Sequence, residues 1–316
     1  MSTRAGRLAI GGAAAVAAGA LLAWATYPAV GRLTYRAAAG IETRLRGLRT
    51  GEIEVGGWPM AYAEGGDPDR PTVLLLHGFS GDKDLWVRFA GHLLADYHVL
   101  IPDLPGHGAT GYRAGADYSA PAQAARMADL LDALGVGAVH IMGNSMGGFV
   151  AAHFATAAPA RTLSLGLCNA SGVLAPEASE LDRMLATGRN PFLLTETGQF
   201  DAFYALTMAS PPYLPRIVRD AKAADFVARR EELADIFVAH HHRDLLDDVL
   251  DAIKAPALVL WGSEDPLVDP SAAEVWARGL PHAELVIYDG IGHMPMVEIP
   301  ARCAADYLAF LRGLPA

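Results

Sequence analysis

The chain reads as an α/β protein: a mostly parallel eight-stranded sheet flanked by helices, with an inserted helical cap and an N-terminal membrane helix. Three observations carry this reading. From Gly51 onward, short continuous apolar runs alternate with amphipathic helical stretches, the pattern of strands buried on both faces by helices. That alternation is interrupted once, between Asn169 and Ala257. Near its centre, an apolar run passes through Gly143-Asn144-Ser145-Met146-Gly147 directly into a helical stretch.

The elements follow in order. Glu52–Val55 and Trp58–Tyr62 flank Gly56-Gly57 and predict a hairpin at the sheet edge. Strands are then expected at Thr72–Leu76, His98–Pro102, Ala138–Met142, Leu163–Asn169, Ala257–Trp261 and Leu285–Tyr288, and helices at Asp84–Ala95, Ala120–Leu134, Ser145–Ala157, Ser271–Leu280 and Pro300–Arg312. The core is thus assigned to residues 51–171 and 252–316, and the cap to residues 172–251. A cap inserted there would cover the carboxyl ends of the strands, where α/β sheets bind ligands. It is rich in apolar and aromatic residues, among them Phe192, Phe200, Phe203, Tyr204 and Tyr213.

Ahead of the core, Leu8 to Val30 carries no charge, long enough to span a bilayer core as a helix, with Trp24 and Tyr27 placed for an interface. Residues 1–30 are therefore read as a transmembrane anchor. The competing reading is a signal peptide cleaved near Ala23-Trp24-Ala25, giving a secreted or periplasmic product. In residues 31–50, Leu33, Ala37, Ile41, Leu45 and Leu48 recur at helical spacing among Arg32, Arg36, Arg44, Arg46 and Arg49. This predicts an amphipathic linker helix suited to an anionic membrane surface. The charges on either side of the span leave sidedness open, and no motif fixes an oligomeric state.

A net charge of −10 over 316 residues, with no basic cluster in the main body, argues against a nucleic-acid partner. The two cysteines, Cys168 and Cys303, lie in a predicted strand and the last helix and are expected as buried thiols. His240-His241-His242 lacks a ligand spacing: on a helix, adjacent residues point in different directions. Neither a metal nor a cofactor is expected.

Strand, tight turn and helix around Gly-x-Ser-x-Gly is the context of a nucleophile elbow, in which Ser145 sits exposed on a strained turn. A serine hydroxyl is a poor nucleophile at neutral pH and needs a histidine base backed by a carboxylate. Asp265, just past the strand ending Trp261-Gly262, is the expected acid, ahead of Glu264 and Asp269. His293, on a Gly-flanked loop after the last strand, is the expected base, ahead of His282. Backbone N–H groups of Phe79 and Met146 are placed to bind a developing oxyanion. His77, in Leu76-His77-Gly78-Phe79, is expected to shape its loop.

Together His77-Gly78-Phe79, Gly143-Asn144-Ser145-Met146-Gly147, Trp261-Gly262-Ser263-Glu264-Asp265 and Gly292-His293 resemble the α/β-hydrolase superfamily from Gly51 to the C-terminus. More narrowly, the apolar N-terminus, Ser80-Gly81-Asp82-Lys83-Asp84, Gly188-Arg189-Asn190-Pro191 and Met294-Pro295-Met296-Val297-Glu298 are similar to membrane-anchored bacterial lipases/esterases and the related monoacylglycerol lipases. That resemblance implies cofactor-free hydrolysis of a small-molecule ester or lipid through an acyl-enzyme on Ser145, with Asp265 as acid, His293 as base, and Phe79 and Met146 as oxyanion donors. The elbow is also similar to that of carbon–carbon bond hydrolases acting on ring-fission products, which are soluble. A non-catalytic ligand-binding module of the same fold normally has a damaged triad, and this one is complete.

Overall fold

The structure, a computed structural model, describes residues 27–314. The predicted span over Leu8–Val30 lies almost wholly outside the described residues, and among these no helix is long and apolar enough to cross a membrane.

The described chain opens in a helix over residues 27–45 (α1). It turns at Gly47 and enters β1 (Leu48–Val55), which pairs antiparallel with β2 (Trp58–Gly65). The helical spacing of Leu48 had suggested that the helix continues to Arg49. It stops earlier because Gly47 takes φ +83°, a left-handed conformation that ends helices. The hairpin turn is Gly56-Gly57 with both φ positive, the two-residue geometry that matches strand twist.

Six further strands complete the sheet: β3 (Thr72–Leu76), β4 (His98–Pro102), β5 (Val139–Asn144), β6 (Thr162–Cys168), β7 (Ala257–Gly262) and β8 (Ala283–Tyr288). Their spatial order is β1-β2-β4-β3-β5-β6-β7-β8, antiparallel at β1–β2–β4 and parallel from β4 to β8. Alternation of side chains sorts each parallel strand between two cores. Leu74, Leu76, Ile141, Val259 and Trp261 pack on one face with α3 (Ala120–Ala133), α4 (Met146–Ala157) and α9 (Ser271–Gly279). Val73, Leu75, Met142, Leu258 and Leu260 pack on the other, with α2 (Val87–Ala90), α10 (Pro295–Glu298) and α11 (Pro300–Gly313). Both cysteines are free thiols in this second core.

The helix expected over Asp84–Ala95 is instead a 3₁₀ turn at Lys83–Trp86 followed by the single turn of α2. The local apolar spacing is helical, but the start of the segment is tied down. Asp82 accepts from Asp84 N at 3.1 Å, and Lys83 N donates to the buried Asp103 carboxylate at 2.7 Å.

Between β6 and β7 the chain forms α5 (Glu180–Ala186), α6 (Phe200–Leu206), α7 (Arg216–Ala228) and α8 (Arg230–His240). Leu181, Phe192, Phe200, Phe203 and Phe237 give these helices a core of their own, against which Phe79 packs. Helix α1 straddles the two regions. Glu42 takes Arg88 Nε at 2.6 Å from the sheet side, while Arg32 reaches Asp225 of α7 at 3.2 Å and Lys222 of α7 stands 3.8 Å from the centre of the Tyr35 ring.

Candidate active site

Ser145 is placed by the junction of β5 and α4. It has φ +55° and ψ −122°, a conformation that L side chains rarely adopt and that the surrounding structure must enforce. The enforcement is visible: a β-carbon at Gly147 would collide with the carbonyls of Leu76 and His77, so only glycine lets α4 approach the end of β3. Ser145 O also accepts from Ser171 N at 3.2 Å, and Ser145 N donates to Cys168 O at 3.1 Å. The loop after β3 is equally close, since a β-carbon at Gly78 would stand 3.1 Å from Ser145 Cβ. The N–H of Phe79, next to Gly78, and the N–H of Met146, the first residue of α4, thus belong to the two segments that meet at Ser145. Neither finds a hydrogen-bond acceptor among the described residues.

Asp265 and His293 meet at the ends of β7 and β8. His293 Nδ1 lies 2.9 and 2.8 Å from the two Asp265 carboxylate oxygens, and the pair is buried, at 6% and 0% side-chain exposure. The carboxylate also accepts from Leu267 N at 2.8 Å, Val268 N at 3.1 Å and Asn169 Nδ2 at 2.7 Å. A buried carboxylate so surrounded has its lone pairs satisfied. Because an ionised carboxylate only accepts, the proton of a neutral His293 sits on Nδ1, which leaves Nε2 as the acceptor. No hydrogen bond joins Ser145 to His293 among the described residues, although both border one cavity.

A model of the alpha/beta hydrolase family matches residues 73–306, spanning the elbow, Asp265 and His293. The chain belongs to that family. Lipase 1 of Psychrobacter immobilis is 33% identical over 254 residues, 79% of this chain and 80% of the relative. The monoacylglycerol lipase abhd6-B of Xenopus laevis is 28% identical, covering 86% and 84% of the two chains. Among solved structures, that of a membrane phospholipase A, a bacterial virulence factor, is similar with a TM-score of 0.88 at 36% identity, covering 98% of this chain and 99% of that one.

In this alpha/beta hydrolase the remaining candidates separate cleanly. Glu264 is exposed, His282 is exposed in the turn before β8, and Asp269 accepts from Ser271 N at the start of α9. His77 is fully buried, accepts from Leu104 N on Nε2 at 2.9 Å and donates from Nδ1 to Gly78 O at 2.8 Å. Burial lowers its pKa despite the nearby Asp103, keeping the ring neutral. The run His240–His242 is not wholly helical: α8 ends at His240, whose Nδ1 turns inward to Ile236 O.

Three further residues hold the site, and the sequence assigned a role to none of them. Asn169, with φ +48° just past β6, positions Asp265. Asn144 donates to His293 O at 3.0 Å and to Cys168 O at 3.1 Å. Glu298 accepts from Gly292 N at 3.0 Å and from Ser210 N of the inserted segment at 2.9 Å. These bonds brace the Gly-flanked loop that bears His293. Position supplies the missing signal for the asparagines, since polar residues at carboxyl ends of parallel strands face the ligand side.

Two cavities converge on Ser145 and Phe79, with Phe192 and Leu267 common to both. One, about 510 Å³, runs beneath Leu181 and Phe237 to His241 and His242. The other, about 300 Å³, passes His293 and is walled by Phe200, Phe203, Tyr204 and Phe226. A larger space of about 960 Å³ between α1, α7 and the core is lined by Asp82, Lys83, Asp84 and Arg32 and includes neither Ser145 nor His293.

Proposed function

We propose that this carboxylic ester hydrolase cleaves lipid esters, monoacylglycerols among them, through an acyl-enzyme on Ser145. The observation that carries the reading is Ser145 on its strained turn, at the meeting point of two cavities lined in part by Phe and Leu side chains, beside a buried His293–Asp265 pair. In this mechanism His293 Nε2 takes the Ser145 proton as Oγ attacks the ester carbonyl, and Asp265 stabilises the imidazolium that forms. The N–H groups of Phe79 and Met146 hold the oxyanion. His293 then returns the proton to the leaving alcohol, and water repeats the sequence to release the acid. No cofactor enters. Residues 172–251 act as the cap whose aromatic residues receive the acyl chain.

The same reading places the enzyme at a membrane, anchored by the segment Leu8–Val30. Helix α1 supports it: Leu33, Ile41 and Leu45 stand 65%, 57% and 81% exposed along one stripe, near the cationic Arg36 and Arg44. Extraction of membranes with alkaline carbonate is expected to leave the full chain in the pellet; recovery in the supernatant would remove the anchor.

Hydrolysis of p-nitrophenyl esters of increasing chain length, a monoacylglycerol and a ring-fission dienone tests the chemistry, with Ser145→Ala as reference. Ester and glyceride turnover is expected to fall by about 10⁶-fold in the variant, with the dienone untouched by either protein. Preferential cleavage of the dienone would move the enzyme to the carbon–carbon hydrolases, and full ester turnover by Ser145→Ala would displace the nucleophile.

A further inference from the structure

Beyond the hydrolytic centre, one group of side chains in the inserted helices converges without a part in ester cleavage. Helix α8 ends at His240, His241 is extended with φ −69° and ψ 119°, and His242 is left-handed with φ +52°. The two residues therefore do not diverge as they would on a helix. Their rings stack at 4.1 Å between centroids and 18° between planes, and His241 also stacks on Phe237 at 4.5 Å. Asp182, from the first turn of α5, faces them: one ligand atom from each of the three residues lies within 4.8 Å of the others.

We propose that Asp182, His241 and His242 form a binding site for a divalent cation of the zinc type, in the wall of the larger cavity that leads to Ser145. Two imidazoles and one carboxylate, with remaining positions open to solvent, are a donor set that zinc accepts. The carboxylate is already oriented, since Asp182 Oδ2 takes Ser179 N at 2.9 Å and Ser179 Oγ at 2.7 Å, and such outer bonds fix metal-binding groups. A zinc shell with bonds near 2.1 Å needs ligand atoms about 3.4 Å apart. From separations within 4.8 Å, rotation of the exposed His242 side chain would have to close the difference. The ion would tie the start of α5 to the end of α8.

The test uses the full chain, stripped of metal with a chelator and titrated calorimetrically with Zn²⁺, and separately with Co²⁺ followed by visible absorption. One Zn²⁺ per chain is expected, together with Co²⁺ bands of a four- or five-coordinate site and a rise in Tm on adding Zn²⁺. His242→Ala, an exposed position, is expected to weaken Zn²⁺ binding by about tenfold or more, and His241→Ala with His242→Ala to abolish the Tm rise. His282→Ala, an exposed histidine elsewhere, should leave both readouts unchanged. Absence of saturable binding to the native chain would overturn the proposal. So would binding that survives the double substitution in protein whose circular dichroism is native.

Discussion

The loop after β3 and the loop after β8 each bring a buried histidine to the surroundings of the elbow, and the two rings are used in opposite ways. His77 has both nitrogens committed to backbone groups, Nε2 accepting from Leu104 N and Nδ1 donating to Gly78 O. His293 has one nitrogen on a carboxylate, and the other has no hydrogen-bond partner among the described residues and borders a cavity that also holds Ser145. A proton shuttle requires an uncommitted nitrogen, and its cation requires a nearby negative charge. Only the β8 loop satisfies both conditions. Burial alone does not distinguish the two, since both rings are almost inaccessible, at 0% and 4% exposure. Their partners do.

The largest effect expected from breaking this contrast comes from Asp265. In Asp265→Asn the amide can still accept from Leu267 N and Val268 N, so the fold should hold. It can also donate to His293 Nδ1, favouring the tautomer whose Nε2 carries the proton. Loss of about 10⁴-fold in kcat is expected, the size seen when the same substitution is made in a serine-protease triad, with little change in KM. A fall of less than tenfold would show that His293 does not depend on this carboxylate. Next comes His77→Phe, which keeps ring volume but leaves Leu104 N–H and Gly78 O without partners. At roughly 1–3 kcal/mol for each orphaned group, denaturant unfolding should register about 2–6 kcal/mol of lost stability. The kcat per folded molecule, counted with a fluorophosphonate probe, should fall far less than in Asp265→Asn. Equal losses in kcat would give His77 a share of the proton transfer.

The same contrast explains what could be read from the chain and what could not. The positions of Ser145, Asp265 and His293 could be read because each stands past the end of a strand whose apolar run is local, and their proposed roles because the order serine, acid, histidine is recognisable. The role of His77 was legible only through that order, by exclusion. Asn169, Asn144 and Glu298 were hidden because their partners are remote: Asn169 meets Asp265, and Glu298 meets Ser210. Helical spacing in Asp84–Ala95 misled for the same reason, as no local pattern announces that Lys83 will bind Asp103. The histidine run misled through an assumed helix that ends at His240.

The loops after β3 and β7 also differ in how they carry charge, and Asp84 offers the finest test. Asp265 is matched by donors on both oxygens, whereas Asp84 shares its surroundings with Asp82 and Asp103. Burial first, and then the Asp82 charge, raise its pKa from 3.8 to about 6, against the pull of Lys83 at 3.7 Å. A carboxyl whose folded pKa lies above its unfolded value is protonated more readily in the native state. Stability therefore declines as pH rises from about 4 to about 6 and is level above that. The ionised group costs on the order of 1–2 kcal/mol once both states are deprotonated, less than the full shift implies because the side chain is partly exposed. Asp84→Asn removes the charge while keeping the backbone N–H that caps onto Asp82. It should raise stability by about that amount at pH 8 and leave it nearly unchanged at pH 4, read from urea midpoints at the two pH values. Destabilisation at pH 8 would mean that attraction to Lys83 outweighs repulsion and burial, and the β3 loop would then hold its carboxylate as the β7 loop holds Asp265.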